Sequence, residues 1–162
     1  MKKGTRETII YMLIGVVLAW GINQGLAYAL TTDMPVVAVE SNSMVPVFYK
    51  GDILVLKGVD KSSYGVGDIV VYSVAGRGIP IVHRIVKLNA DGSYQTKGDA
   101  NSGQLDFEHY VEPRNIHGKM VAILPYLGWV KIGIMQYVLP NIIFFAIAIL
   151  AVGLIYYGRR LV

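Results

Sequence analysis

Ile81-Val82-His83-Arg84-Ile85-Val86 alternates in a way that fixes how the middle of this chain is built. With side chains pointing to opposite faces of a strand in turn, Ile81, His83 and Ile85 share one face and Val82, Arg84 and Val86 the other. His83 then projects from a stiff element. Working outward, Asp68-Ile69-Val70-Val71-Tyr72 and Asp52-Ile53-Leu54-Val55-Leu56 are short apolar runs, each opened by a Gly-Asp pair, and Pro35-Val36-Val37-Ala38-Val39 is rich in β-branched residues. These read as strands separated by turns. Tyr94-Gln95-Thr96-Lys97 leads into Gly98-Asp99-Ala100-Asn101-Ser102-Gly103, whose residue types favour a turn that fixes a carboxylate.

The ends are different. Thr8 to Leu30 carries no formal charge over 23 positions, long enough to cross a bilayer, and Val138 to Tyr157 is a second uncharged stretch of 20 residues. Hydrophobic residues make up 54% of the 162 and the mean hydropathy is +0.48, too apolar for an ordinary soluble domain. Lys2, Lys3 and Arg6 precede the first stretch and Arg159 and Arg160 follow the second, which places both termini in the cytoplasm and the middle outside. Residues 31–137 hold 10 basic and 10 acidic residues, so the net charge of +4 resides at the ends. A nucleic-acid partner, which needs a basic patch on the folded domain, is not expected.

The expected organisation is a cytoplasmic N-terminus (1–7), a transmembrane helix (8–30), an extracytoplasmic β domain (31–125), an interfacial segment (126–137), a second transmembrane helix (138–157) and a cytoplasmic tail (158–162). Ala27-Tyr28-Ala29 also fits the small-residue pattern of a signal-peptide cleavage site, but the uncharged stretch exceeds the usual 7–15 residue core of such peptides. An anchor is the expectation. There are no cysteines, which removes disulfides, zinc-thiolate sites and thiol catalysis.

Glu40-Ser41-Asn42-Ser43-Met44-Val45-Pro46, just beyond the first apolar stretch, offers a candidate serine nucleophile. Serine needs a base and an orienting acid, and His83, Asp99 and Asp106 follow in order. His109 and His117 lack a nucleophile pattern nearby and read as surface residues. No spacing among His83, Asp99 and Asp106 matches a metal-ligand motif, so neither metal nor cofactor is expected.

Together these motifs resemble type I signal peptidases of the archaeal and endoplasmic-reticulum branch, which use serine, histidine and aspartate. Ser41-x-Ser43-Met44-x-Pro46 with Gly51-Asp52 resembles the nucleophile box, Val82-His83-Arg84 the base box, and Lys97-Gly98-Asp99-Ala100-Asn101 with a later aspartate the acid box. Lys119-Met120-Val121 and Pro125-Tyr126-Leu127-Gly128 fit the segment that follows. The resemblance implies a mainly β, signal-peptidase/LexA-like catalytic domain anchored by two transmembrane helices.

It also implies Ser43 as nucleophile, His83 as base and Asp106 as orienting acid, with Asp99 in reserve. The second aspartate of this branch usually falls six residues after the Gly-Asp aspartate; here the interval is seven. The Ser43 N–H and the Ser41 hydroxyl would meet the oxyanion, and Met44, Ile81 and Val82 would line substrate pockets. The implied substrates are signal peptides of secretory preproteins cut after small residues (Ala-x-Ala type), and the implied partners are the lipid bilayer and the protein translocation machinery. Two other classes fit the same residues: a non-catalytic membrane subunit or receptor that binds extended peptides, and a serine hydrolase processing another membrane substrate.

Overall fold

Ile69 to Tyr72 is an unbroken apolar run, which suits a strand covered on both faces. The computed structural model of the chain describes residues 3–60, 63–141, 144, 147, 150 and 151. In it all four residues of the strand Ile69–Tyr72 are buried. Six antiparallel strands form one sheet: β1 (Val36–Ala38), β2 (Ile53–Lys57), β3 (Ile69–Tyr72), β4 (Ile81–Leu88), β5 (Tyr94–Lys97) and β6 (Ile116–Leu124), in the order β1-β2-β6-β3-β4-β5. Four of these strands, β1 to β4, lie where the apolar and alternating runs predict. The last, β6, is the longest and is inserted between β2 and β3.

Apolar side chains gather in two clusters. One holds Val39, Met44, Phe48, Leu54, Leu56, Ile69 and Val71. The other holds Tyr64, Val70, Tyr72, Ile85, Tyr94, Val111 and Ile116. Ile69 and Val71 point into the first cluster and Val70 and Tyr72 into the second, so β3 separates them. In β4, His83 and Ile85 are buried, as the alternation of that strand requires. Opposite His83 across the ladder is Val70, which fixes the imidazole's height on the sheet.

N-terminal to the sheet, α1 (Lys3–Ala29) runs for 27 residues, about 40 Å at 1.5 Å per residue and enough for a hydrocarbon core of about 30 Å. Its apolar side chains, among them Leu13, Val17, Leu18 and Trp20, are uncovered by the rest of the protein. This is one apolar helix of spanning length. Most of the expected second span, 138–157, lies outside the described residues.

Beyond β6, a short helix α2 (Gly128–Gly133) and a turn of π-helix (Ile134–Val138) continue the chain. The link between the domain and this segment is Asp52. Its carboxylate, nearly buried, accepts the N–H of Tyr49 at 2.9 Å through Oδ2 and that of Tyr126 at 3.0 Å through Oδ1. Gly51 beside it adopts φ +97°, and a Cβ there would lie 2.0 Å from Nε1 of the Trp129 ring. The Gly-Asp pair at 51–52 is therefore a clamp on the C-terminal segment. Asp52→Ala leaves two backbone donors without their acceptor and is expected to cost about 2–4 kcal/mol in denaturant unfolding; a loss below about 0.5 kcal/mol would mean the clamp is replaceable by water.

Candidate active site

A serine hydroxyl gains reactivity only when a base stands within hydrogen-bonding reach. Ser43 sits on the turn after β1 and His83 in the middle of β4, 40 residues away, with Ser43 Oγ 3.0 Å from His83 Nε2. The turn is held from both sides. The Asn42 side chain accepts the N–H of Lys50 at 2.8 Å, and the Ser43 carbonyl accepts that of Ala100 at 2.9 Å, from the loop that follows β5. Ser41 Oγ lies 3.2 Å from Ser43 Oγ, which brings the expected oxyanion donor beside the candidate nucleophile.

The other ring nitrogen, Nδ1, faces a carboxylate, and it is that of Glu108. Sequence reasoning put Asp106 there with Asp99 in reserve; neither reaches His83. Asp99 is held by Arg84, whose Nε and Nη2 contact its oxygens at 3.0 and 2.5 Å and whose Nη1 donates to the Gly67 carbonyl at 2.9 Å. Hydrogen bonding to Asp99 holds the Arg84 guanidinium above its already high ordinary pKa. Asp106 opens a single turn of 3-10 helix (Asp106–Glu108) and is exposed. At about 120° per residue such a turn can aim only one of its three side chains at the imidazole.

His83 is 5% exposed and Glu108 0%. The pair lies in a low-dielectric setting, where a carboxylate needs partners. Glu108 has two: Nδ1 of His83 at Oε1, and the Leu105 N–H at 2.6 Å from Oε2. Nearby, the buried Tyr72 hydroxyl bonds Thr96 Oγ1 at 2.8 Å. Burial, with a smaller contribution from the Glu108 charge, pushes its phenol far above the ordinary range, so it stays neutral.

A cavity of about 560 Å³ opens in front of Ser43 and His83. Residues 37–41 form one wall and residues 77–82 the other, with Lys131 at the rim. Ile81 and Val82 border it as expected for pocket residues. Met44 is elsewhere: it is fully buried in the first core cluster, and its sulfur receives the Asp99 N–H at 3.4 Å. An apolar residue beside a nucleophile serves as core or pocket, and periodicity over two or three residues does not distinguish them. The described residues contain no group of three metal-ligating side chains suited to an ion.

A second chain of the same atom types exists. Ser73 Oγ is 2.7 Å from His117 Nε2, and His117 Nδ1 is 2.8 Å from Asp33 Oδ2. Sequence reading missed it because Ser73 and Asp33 lie 44 and 84 positions from His117. Its setting differs: Ser73 and Asp33 are exposed, and Thr32, next to Asp33, donates its hydroxyl to the His117 carbonyl at 2.7 Å. These bonds tie the segment after α1 to β6. Of the two chains, only that of Ser43 has a buried histidine and acid and faces the cavity just described.

No protein-family model matches the chain. Individual relatives do. The signal peptidase complex catalytic subunit SEC11C of Homo sapiens is 33% identical over 145 residues, 82% of this chain and 76% of the relative, and the same subunit of Mus musculus matches to the same extent. The signal peptidase complex catalytic subunit SEC11 of the fungus Metarhizium acridum is 40% identical over 118 residues, 67% of this chain and 69% of its own. Similarity at this level over most of both chains, together with a serine and histidine in contact beside a cavity, means that the chain belongs to the family of signal peptidase complex catalytic subunits.

Proposed function

We propose that this protein is a membrane-bound serine endopeptidase in which Ser43 and His83 remove N-terminal signal peptides from translocated preproteins, cutting after small residues in an Ala-x-Ala pattern. The observation that carries the assignment of residues is the 3.0 Å contact between Ser43 Oγ and His83 Nε2 at the cavity. In attack, Nε2 takes the hydroxyl proton as Oγ bonds to the scissile carbonyl carbon, and the proton then goes to the leaving amine as the C–N bond breaks. Water repeats the sequence on the acyl-enzyme. The Ser43 N–H and the Ser41 hydroxyl meet the oxyanion, each donor worth on the order of 3 kcal/mol in such sites.

The substrate lies extended between residues 37–41 and 77–82. β1 is an edge strand, so its free side offers backbone groups to an added strand. Ile81 and Val82 shape the walls. Glu40 and Lys131, 3.7 Å apart, together with Arg77 give the rim charges of both signs.

The bilayer is part of this reading. α1 is the first anchor, 138–157 the second, and the basic residues outside them place both termini in the cytoplasm of a two-pass protein of the cell membrane. Exposed Trp129, Val130, Ile134 and Tyr137 lay the segment 126–137 on the outer interface. A signal peptide whose apolar core has already entered the membrane then meets the site with its orientation fixed and its effective concentration raised. The relatives are named as subunits of a complex, which supports partner subunits as neighbours of this chain; the translocation machinery that delivers preproteins is a further neighbour in this reading.

Cleavage of a preprotein with an Ala-x-Ala site by the full chain in detergent or liposomes tests the assignment. Ser43→Ala and His83→Ala are each expected to lower kcat by at least about 10³-fold with folding retained, because such groups act as a unit. Ser73→Ala is expected to stay within about twofold of wild type. The reverse ranking would move the nucleophile to Ser73. A subtler probe is Gly98→Ala: a Cβ there would lie 2.8 Å from both His83 Nε2 and the Ser43 carbonyl oxygen. Displacing the pair by part of an ångström is expected to cost about 10²-fold in kcat; unchanged kcat would show that the contact is not needed.

A further inference from the structure

Four carboxylates follow His83 within 25 residues, and the structure separates them by what each oxygen touches: Asp91 accepts the N–H and the hydroxyl of Ser93. Asp99 is committed to the Arg84 fork. Asp106 faces outward at the start of the 3-10 turn. Glu108, at the end of that turn, is wholly buried, with one oxygen on His83 Nδ1 and the other on the Leu105 N–H. The turn itself is braced on its middle residue, because the Arg77 guanidinium stacks 4.5 Å from the centre of the Phe107 ring. Asp106 outward, Phe107 under Arg77 and Glu108 on the imidazole account for its three directions.

We propose that Glu108, and not an aspartate, is the positioning residue of this active site. The resemblance to the family predicts an aspartate six residues after Asp99. That position is Leu105, and the next aspartate, Asp106, comes one residue late and points away. The longer glutamate side chain, two residues further on, reaches Nδ1 from the far end of the turn. Resting on the serine-protease reading above, its role is to accept the Nδ1 proton as a hydrogen bond. Nε2 is then the basic nitrogen that faces Ser43. When Nε2 takes the Ser43 proton, the carboxylate stays ionised and stabilises the imidazolium until that proton leaves with the amine.

This assignment is testable with and without substrate. In the full chain in detergent micelles with ¹⁵N-labelled histidine, His83 is expected to show an exchange-protected Nδ1–H signal shifted far downfield. Glu108→Gln abolishes the shift, while Asp106→Asn and Asp99→Asn keep it. In preprotein cleavage, Glu108→Gln is expected to lower kcat by on the order of 10³-fold with KM little changed, as for loss of the orienting carboxylate in a serine protease. Glu108→Asp recovers about tenfold of that loss by restoring the charge and stays well below wild type because the shorter side chain falls short of Nδ1, and Asp106→Asn stays within about twofold of wild type. Unchanged kcat and an unchanged Nδ1–H signal in Glu108→Gln would overturn the proposal, as would a loss of the same size in Asp106→Asn. If Glu108→Gln does not fold, the wild-type signal and the Glu108→Asp rate still decide: no downfield Nδ1–H, or no change of rate on shortening the side chain, refutes the role. Full activity of Ser43→Ala would defeat the protease assignment separately, leaving the NMR result to judge Glu108 alone.

Discussion

The contact between Ser43 and His83 requires a turn, a strand and a loop from separate parts of the sequence to converge, and the sheet makes them converge. β4 carries the imidazole and is paired on both sides, with β3 and β5, so its height is fixed by two ladders. The end of β5 delivers the loop 98–101, whose Ala100 N–H pins the Ser43 carbonyl, while Gly98 packs so closely against both groups that no side chain fits there. Burial sharpens the result. With Glu108 and His83 nearly sealed from water, their interaction is less screened than at the surface, and the unpaired alternative is costly.

The same logic explains why two serine-histidine-acid chains in one small domain have different work to do. Ser73, His117 and Asp33 have suitable distances, yet two of the three are exposed and their bonds join the segment after α1 to the centre of the sheet. In water such a chain contributes modestly, as surface ion pairs do. Its place between α1 and β6 makes it a strut between the apolar helix and the sheet. Asp52 does the corresponding job for the C-terminal segment. The sheet domain is thus tied to the segments that follow α1 and β6 at two carboxylates, Asp33 and Asp52.

Strands with strong local signals were legible in the sequence: the apolar runs after Gly-Asp pairs and the alternation around His83 all fall on observed strands. β6 was not, for identifiable reasons. It contains Gly118, a lysine and a histidine, and bulges opposite β2 and β3 break its period of two. Its place comes from its two neighbours more than from its own pattern. Ser43 and His83 were legible because each lies in a motif whose residue types imply chemistry. Glu108 was not, because a three-residue 3-10 turn leaves no periodic trace, and a search for an aspartate at family spacing passes over a glutamate beyond it. Met44 shows the converse error: chemistry was expected of a residue that packing claimed.

In the proposed reaction Ser43 Oγ is the atom that attacks, with His83 behind it. A peptide boronic acid ending in an Ala-x-Ala sequence mimics the tetrahedral intermediate and reports the attacking oxygen directly, since such analogues bind at least about 10²-fold more tightly than substrates. A structure of the full-length protein with this ligand, paired with ¹¹B NMR, is the decisive measurement. Tetrahedral boron bonded to Ser43 Oγ, with the peptide extended between residues 37–41 and 77–82, is the predicted result. Boron bonded to Ser73 or another side chain, or held trigonal in the cavity without a covalent bond, would contradict the account.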